Sequence, residues 1–370
     1  MTENANRAVW VTGIGQTPVG EHWNLSLRDL AAQAAFAALR DAELDKFTSR
    51  DTQPVDAVIV GNMLSGVLSR QENLGALIAE TIGLCGIEAW KVEGACASGG
   101  AAIRAGYSLI ASGLCKRVLV VGVEKMTDVP TEVATAGLAM ASDADHEALH
   151  GLSFTAIGAL LTQAYSEAYG YKRNDFAPLP INAHRKAFAN PYAMFHKAIN
   201  EADYLASPLV ASPLGVLDCA PICDGAAAIV LSAQQPQNNR PAVRLAGSAS
   251  ATDTVALARR RELLWLNAAE RSSREAMAMA NLSIEDISFF ELHDAFPVMA
   301  ALSLESVGYA KRGEGIKIAN TSNSIPIQTM GGLKGRGHLV GATGIYQAVE
   351  ACLQLRGEAG ANQIPPLAPA

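Results

Sequence analysis

Short apolar runs alternate along this chain with stretches whose apolar residues recur at helical spacing, and the alternation appears twice. Val9 to Gly15 is a short β-rich run, Leu27 to Leu39 carries apolar residues on one helix face, and Val55 to Val60 is again a strand. A βαβ unit results. Asn73 to Ile82 reads as a helix, Trp90 to Gly94 as a strand, Ile103, Tyr107 and Ile110 as one helix face, and Arg117 to Val123 as a buried strand. This order predicts a mostly parallel sheet.

From about Glu124 to Leu217 the pattern changes. Strands vanish, and Pro, Tyr and His gather in stretches such as NDFAPLPINAHRKAFANPYAMFHKAI, which predicts an inserted subdomain of helices and loops. Strand character resumes in DGAAAIVLS (Asp224 to Ser232), and QQPQNNRP (Gln234 to Pro241) is polar and turn-rich enough to be a linker. Beyond it Val243 to Ala246 reads as a strand, Ser273 to Ala280 as a helix, Ile287 to Leu292 as a strand and Phe296 to Val307 as a helix. Ile345, Val349, Cys352 and Leu353 mark one face of a final helix. The second half thus repeats the first. Two similar α/β layers are expected to pack together, with functional residues where strand ends meet.

Length and composition narrow the classes. A chain of 370 residues exceeds the size at which one core usually keeps growing, so two or more subdomains are expected. Only 18% of residues are charged and the net charge is -7, with no clustered Lys and Arg stripe, which argues against nucleic acid as a partner. The opening MTENANRAVWVTGIG has no basic segment followed by a long apolar one and reads as a short tail entering a strand, so no membrane span and a cytoplasmic address are expected. The six cysteines are scattered, which predicts free thiols in a reducing compartment. Cys219 and Cys223 alone approach metal-ligand spacing, without a second Cys or His pair, and no metal is expected.

Chemistry enters with EGACASGG, Glu93 to Gly100. The preceding strand ends at Gly94 and a helix begins just after, placing the Cys96 thiol at a helix N-terminus. Such a position can lower a thiol pKa from about 8.5 to roughly 3.5 to 7.5, which predicts a nucleophilic thiolate. Cys85, Cys115 and Cys352 read instead as ordinary buried small residues. In GGLKGRGHLVGATG, Gly331 to Gly344, His338 lies just before the last apolar helix, in the place that Cys96 holds in the first repeat, so that two helix starts can face each other. There a neutral imidazole is available as a base. In ELHDAF, Glu291 to Phe296, His293 projects from a strand end and Asp294 is placed to cap the next helix. A polar group at His293 is placed either to orient a water or to donate to a thioester oxygen as charge develops there, the latter worth about 2.7 to 4 kcal/mol, or it is a helix-start histidine without substrate contact.

Together these residues carry a family resemblance. EGACASGG resembles the thiolase nucleophile segment, LDCAPICDGAAA (Leu217 to Ala228) the segment leading into the last strand of the thiolase N-terminal domain, and GHLVGATG the GHPxGxTG signature. HDAF, where degradative thiolases carry Asn-Glu-Ala-Phe, together with ANPYAMFHK, is similar to the sterol-carrier-protein-type thiolases and their archaeal relatives. The resemblance implies a duplicated α/β thiolase fold in a layered αβαβα arrangement with an inserted loop domain. Residues 1–123 with 218–235 would form the N-terminal half, 124–217 the insertion, and 240–370 the C-terminal half, without the family's last hairpin. It further implies Cys96 as the acyl-accepting nucleophile, His338 as the group that activates it, and His293 in the thioester oxyanion site. Met126 falls where the family lines its acyl pocket. The implied reaction is ping-pong acyl transfer from coenzyme A esters, by thiolysis or Claisen condensation, with no permanently bound cofactor. Homodimers or homotetramers, and a small OB-fold partner carrying a zinc ribbon, are implied as well.

Two positions depart from the family pattern. The second acid/base cysteine, supplied either after His-Asp or from a C-terminal Cys-x-Gly strand, is met here by Ala295 in the first place and by a chain ending PPLAPA in the second. Either the sequence stops short of that strand or, if the protein ends there, His293 is the substitute base. Competing readings are a related carbon-carbon bond enzyme on the same scaffold, against which Cys96 argues, and a noncatalytic acyl-CoA-binding subunit, against which Cys96, His293 and His338 argue. A cysteine protease ranks last, because the duplicated α/β pattern has no reason to accompany it.

Overall fold

A computed structural model of the chain describes residues 7–45, 53–237, 239–320 and 325–365. In chain order the elements begin with β1 (Trp10–Gln16), α1 (Leu27–Asp41), β2 (Ala57–Gly61), α2 (Ser65–Leu68), α3 (Leu74–Thr81) and β3 (Glu88–Val92). Next come α4 (Ser98–Ala111), β4 (Arg117–Glu124), α5 (Thr131–Ala139), α6 (Phe154–Tyr169), α7 (Pro178–Ala189) and α8 (Glu201–Ala206). They are followed by β5 (Leu209–Ala211), β6 (Leu214–Gly215), β7 (Gly225–Ser232) and β8 (Val243–Arg244), then α9 (Asn267–Ala280), α10 (Pro297–Ser306) and α11 (Thr343–Arg356). Every helix and strand expected before the insertion is present within a few residues of its predicted bounds.

Two compact units share these elements: Met1–Val129 with Cys223–Ser248 and Leu339–Gly360, and Pro130–Ile222 with Ala249–His338 and Ala361–Ala370. The first unit holds a six-stranded sheet in the order β3-β2-β4-β7-β1-β8. β2 pairs in parallel with β3 and β4, whereas β7 runs antiparallel to both β4 and β1, and β8 antiparallel to β1. The sheet is therefore mixed rather than mostly parallel. The cause is the long excursion before β7, which re-enters between β4 and β1 in the opposite direction. β2, β4 and β7 are near-continuous apolar runs because both faces are covered. On one face Leu30, Ala34, Ala38 of α1 and Leu74, Ile78 of α3 pack against Val58, Val60, Leu119, Val121 and Val230. α1 starts at a capping box in which the Ser26 hydroxyl accepts from the Asp29 N–H and the Asp29 carboxylate accepts from the Ser26 N–H.

α4 and α11 carry the internal duplication. Each is a 14-residue helix entered through a three-residue 3-10 turn, Ala95–Ala97 or Val340–Ala342, and the first residue of each turn is left-handed, φ 50° at Ala95 and 26° at Val340. Aligning the turns pairs Ser98 with Thr343 and Gly99 with Gly344. The two helix starts face each other through those glycines, as expected. A Cβ on Gly99 would lie 2.9 Å from the Gly341 carbonyl oxygen, and one on Gly344 would lie 2.7 Å from the Gly100 nitrogen. The alignment also pairs Cys96 with Gly341 and Glu93 with His338, so His338 stands three residues ahead of the place that Cys96 holds in its repeat. Gly344→Ala is expected to destabilise the protein by about 1–3 kcal/mol, the cost of overpacking a closed contact. An unchanged midpoint in thermal unfolding would show that the helix starts part without cost.

Among its described residues the second unit is mainly helical, with the short β5–β6 hairpin as their one regular sheet. α6, capped by Ser153 and ended by left-handed Gly170, packs Leu161 and Tyr165 against Val298, Ala301 and Leu302 of α10, with Phe176 and Leu179 beside them. Ile287 to Leu292, predicted as a strand, makes a single parallel bridge, Phe290 to Ile327. The predicted linker Gln234 to Pro241 includes residue 238, and the opening tail and the closing PPLAPA include residues 1–6 and 366–370; all of these lie outside the described residues.

Candidate active site

In the first unit, β3 ends at Val92 and hands the chain to the 3-10 turn that holds Cys96 at its centre. Three hydrogen bonds fix this turn. The Ala95 N–H donates to Glu93 Oε1 at 2.6 Å, the Gly94 N–H donates to Ser98 Oγ at 2.9 Å, and the Ser98 hydroxyl donates to the Ala95 carbonyl at 2.6 Å. The thiol belongs to the turn leading into α4, where its sequence placed it, yet the expected thiolate is not the resting form. Burial and the nearby Glu124 carboxyl group push the Cys96 thiol up to about 12. Those two effects outweigh the helix N-terminus.

Glu124, the last residue of β4, is fully buried. Its Oε1 accepts from the Met63 N–H at 2.6 Å and from the Gly341 N–H at 3.3 Å, and its Oε2 accepts from the Leu64 N–H at 3.3 Å. Burial still wins over these bonds and raises the carboxyl to about 8. Met126 is 1% exposed, on a turn clamped by buried Asp224, whose Oδ1 accepts from the Met126 N–H at 2.7 Å and whose Oδ2 accepts from Lys125 Nζ at 2.7 Å. Burial alone would raise Asp224, but its bonds with Lys125 and Thr127 prevail and hold it below the usual carboxylate range. The clamp therefore stabilises the fold at neutral pH and is lost only as pH falls through that lowered value.

In the second unit, His293 and His338 meet edge to face with ring centroids 5.0 Å apart. His338 lies two residues beyond a π-helical turn, Gly332–Arg336, whose entry is fixed by Asp294: its Oδ1 accepts from the Leu333 N–H at 2.8 Å and its Oδ2 from the Gln328 side-chain amide. Gly332 has φ 56°, and a Cβ there would lie 2.4 Å from Asp294 Oδ2, so that position requires glycine twice over. Asp294 thus does not cap α10, whose N-cap is Phe296 without a side-chain bond. It is structural in another way, tying HDAF to the glycine-rich segment. The ANPYAMFHK stretch runs along the same turn, the Met194 and Phe195 N–H groups donating to the Arg336 and Gly335 carbonyls at 2.9 and 3.2 Å.

Both imidazoles are held neutral. Burial, helped by the Arg336 guanidinium, lowers His293 to about 4. Burial, His293 and Arg336 together carry His338 well below the ordinary imidazole value. The neutral state expected of His338 is found, and its cause is burial beside a cation rather than a helix start. Glu124 and Arg336 were not singled out from sequence. An acid at the C-terminal end of a buried strand was a usable signal for the first, whereas nothing in GGLKGRGH marks its arginine as fully buried. None of the six cysteines forms a disulfide; Cys115 and Cys352 are buried as expected, while Cys85 is exposed.

Two family models match the chain. One, for the thiolase N-terminal domain, covers residues 9–235, and one described as thiolase C-terminal domain-like covers 249–370. The chain belongs to the thiolase family. An acetyl-CoA acetyltransferase of Methanothermobacter thermautotrophicus is 39% identical over 366 residues, 97% of this chain and 93% of that one. Bovine sterol carrier protein 2 is 30% identical, covering 96% of this chain and 68% of its own. Among solved structures, one titled "Ltp2-ChsH2(DUF35) aldolase" superposes with a TM-score of 0.80 at 23% identity, covering 96% of this chain and 91% of that one, which shows the shared thiolase fold. The two family models meet across the segment that the sequence reads as a linker. No helix among the described residues is long and apolar enough to cross a membrane.

Proposed function

We propose that this thiolase carries an acyl group from coenzyme A on Cys96 and forms or cleaves a carbon-carbon bond beside a thioester, as a 3-ketoacyl-CoA thiolase or acetyl-CoA acetyltransferase. The observation that carries the reading is the local build of each reactive group: a thiol centred in a locked turn ahead of α4, and an imidazole pair held uncharged by burial. In this reading His338 accepts the Cys96 proton as sulfur attacks the thioester carbonyl. Thiol and imidazole are both neutral at rest, so no ion pair waits in the free enzyme and the proton moves with the attack. In condensation the bond to coenzyme A sulfur breaks, coenzyme A leaves with a proton, and the acetyl-CoA carbanion takes the acyl group from Cys96. In cleavage sulfur attacks the 3-keto carbonyl instead, the C2–C3 bond breaks, acetyl-CoA leaves with a proton, and a coenzyme A thiol takes the acyl group. His293 supplies an N–H to the thioester oxygen as charge develops there. In the condensation direction it also takes the proton from the acetyl methyl group, for which its neutral form is the required one.

Homo-oligomers are part of the proposal. β3 stands at the edge of the sheet with Trp90 37% exposed, an open row of backbone groups suited to pairing with a second copy. A small partner protein of the OB-fold and zinc-ribbon kind is a further proposed associate, supported by the structural relative whose title joins a DUF35 component to it. The cytoplasm is the proposed location. Light scattering of the purified protein reads the first directly, and a mass near 39 kDa, that of one chain of 38.7 kDa, would remove the dimer from the account. The activity itself is tested by coenzyme-A-dependent cleavage of acetoacetyl-CoA, followed as loss of the 3-ketoacyl thioester. Turnover that needs both substrates supports the reading, and folded protein that binds acyl-CoA without any turnover favours a binding subunit.

A further inference from the structure

The Glu124 carboxyl group belongs to no ion pair among the described residues, yet it is fully buried and accepts three backbone N–H bonds from two segments far apart in sequence. Met63 and Leu64 follow β2, and Gly341 is the centre of the 3-10 turn before α11, the residue that matches Cys96 in the internal repeat. That turn bears directly on the nucleophile's helix, since the Gly341 carbonyl oxygen lies where a Cβ on Gly99 would stand 2.9 Å away. Gly341 is itself closed against the acid: a Cβ there would lie 2.6 Å from Glu124 Oε1. One carboxyl group therefore joins the end of β4, the turn after β2 and the start of α11 around the start of α4.

We propose that Glu124 is a positioning residue for the acyl-transfer step: its carboxyl group fixes the Gly341 turn against the nucleophile's helix, and when ionised it opposes a Cys96 thiolate. The inference rests on Cys96 being the acyl acceptor. Within the first unit the charged and titratable groups that face this carboxyl are few. Lys91 of β3 favours its ionised form but is 2.7 Å from Glu72, Glu93 accepts from the Ala95 N–H, and Cys96 lies in the intervening turn. Lys125, the residue after β4, is engaged by Asp224 and Asp128. Asn62, at the end of β2, uses its amide to donate to the Val123 carbonyl at 2.8 Å and carries no charge. Glu124 is thus the buried acid that ties the nucleophile's surroundings together, and its burial keeps it protonated at neutral pH, where its repulsion of a thiolate is relieved.

The test is the pH dependence of Cys96 alkylation by iodoacetamide in the intact protein, read by peptide mass mapping, for wild type and Glu124→Gln. With the charge removed, the alkylation midpoint is expected to move down by about one pH unit or more, the scale of a nearby like charge. At the same time kcat for acyl transfer falls, because the amide can no longer accept from both Leu64 and Gly341. An unchanged alkylation profile in a folded variant overturns the proposal. Should Glu124→Gln not fold, Glu124→Asp carries the test: the charge is kept but withdrawn by one methylene, so kcat falls and the midpoint moves down by a smaller step. Alkylation and kcat both equal to wild type then overturn it. The alkylation readout needs no acyl-CoA, so it fails or succeeds separately from the acyl-transfer reading.

Discussion

Cys96→Ala is expected to abolish acyl transfer, with kcat/KM for acetoacetyl-CoA cleavage reduced by at least about 10⁴ while folding is kept. Alanine occupies both neighbouring positions of the turn, and none of the three bonds that hold it uses the thiol. The substitution therefore removes the nucleophile without unmaking its surroundings. Cys115, Cys223 and Cys352 are buried. In units of transition-state free energy the loss is at least about 5.5 kcal/mol, four decades at 1.36 kcal/mol each. Activity within tenfold of wild type would remove the acyl-cysteine step from the account.

His338→Ala is expected to lower kcat by about 10²–10⁴, the usual worth of a positioned general base, with a smaller change in KM. The thiol's own chemistry makes this large. A group raised to about 12 is thiolate in only about one molecule in 10⁵ at pH 7, so unaided attack starts from a trace species. The neutral state of His338 makes it competent across the physiological range, since protonation sets in only as pH falls well below the ordinary imidazole value. Wild-type kcat is accordingly expected to stay level from about pH 6 to 8 on this group's account, whereas an imidazole of ordinary pKa near 6.5 would make it fall across the lower half of that range. His338→Ala with wild-type kcat, or a wild-type profile that drops near pH 6.5, would reassign the base.

How much of this was legible in the chain differs by layer. The first half could be read almost element by element, because buried strands such as Val58–Val60 and Leu119–Val123 leave unbroken apolar runs and α1 announces itself with a capping box at Ser26. The sheet's direction was not legible. Strand polarity depends on where β7 re-enters after more than ninety intervening residues, and no local signal encodes that. Ile287 to Leu292 has the composition of a strand but forms one bridge, as tertiary placement overrides propensity. The duplication showed through its glycines and helices, though the register around His338 needed backbone angles to settle, because Gly341 rather than His338 repeats the conformation at Cys96.

At the site the residue types were legible and their ionisation was not. Cys96 lies in the turn before α4 as its glycines suggested, and His293 and His338 come together although forty-four residues separate them in the sequence. The thiolate expected from the helix start fails because burial beside Glu124 costs more than the helix dipole returns. Asp294, expected as a helix cap, holds the π-helical turn because Pro297 starts α10 three residues later, beyond the reach of its side chain. Burial of this kind comes from distant segments, and a single sequence carries no direct trace of it.

The most direct test of the central claim is the mass of the intact protein after brief exposure to acetoacetyl-CoA, compared with that of Cys96→Ala. The account predicts that wild type gains one acetyl group, that peptide mapping places it on Cys96, that added coenzyme A removes it, and that the variant gains none. An adduct that persists in Cys96→Ala, or wild-type protein that turns over acetoacetyl-CoA without ever carrying an acyl group, would contradict the account.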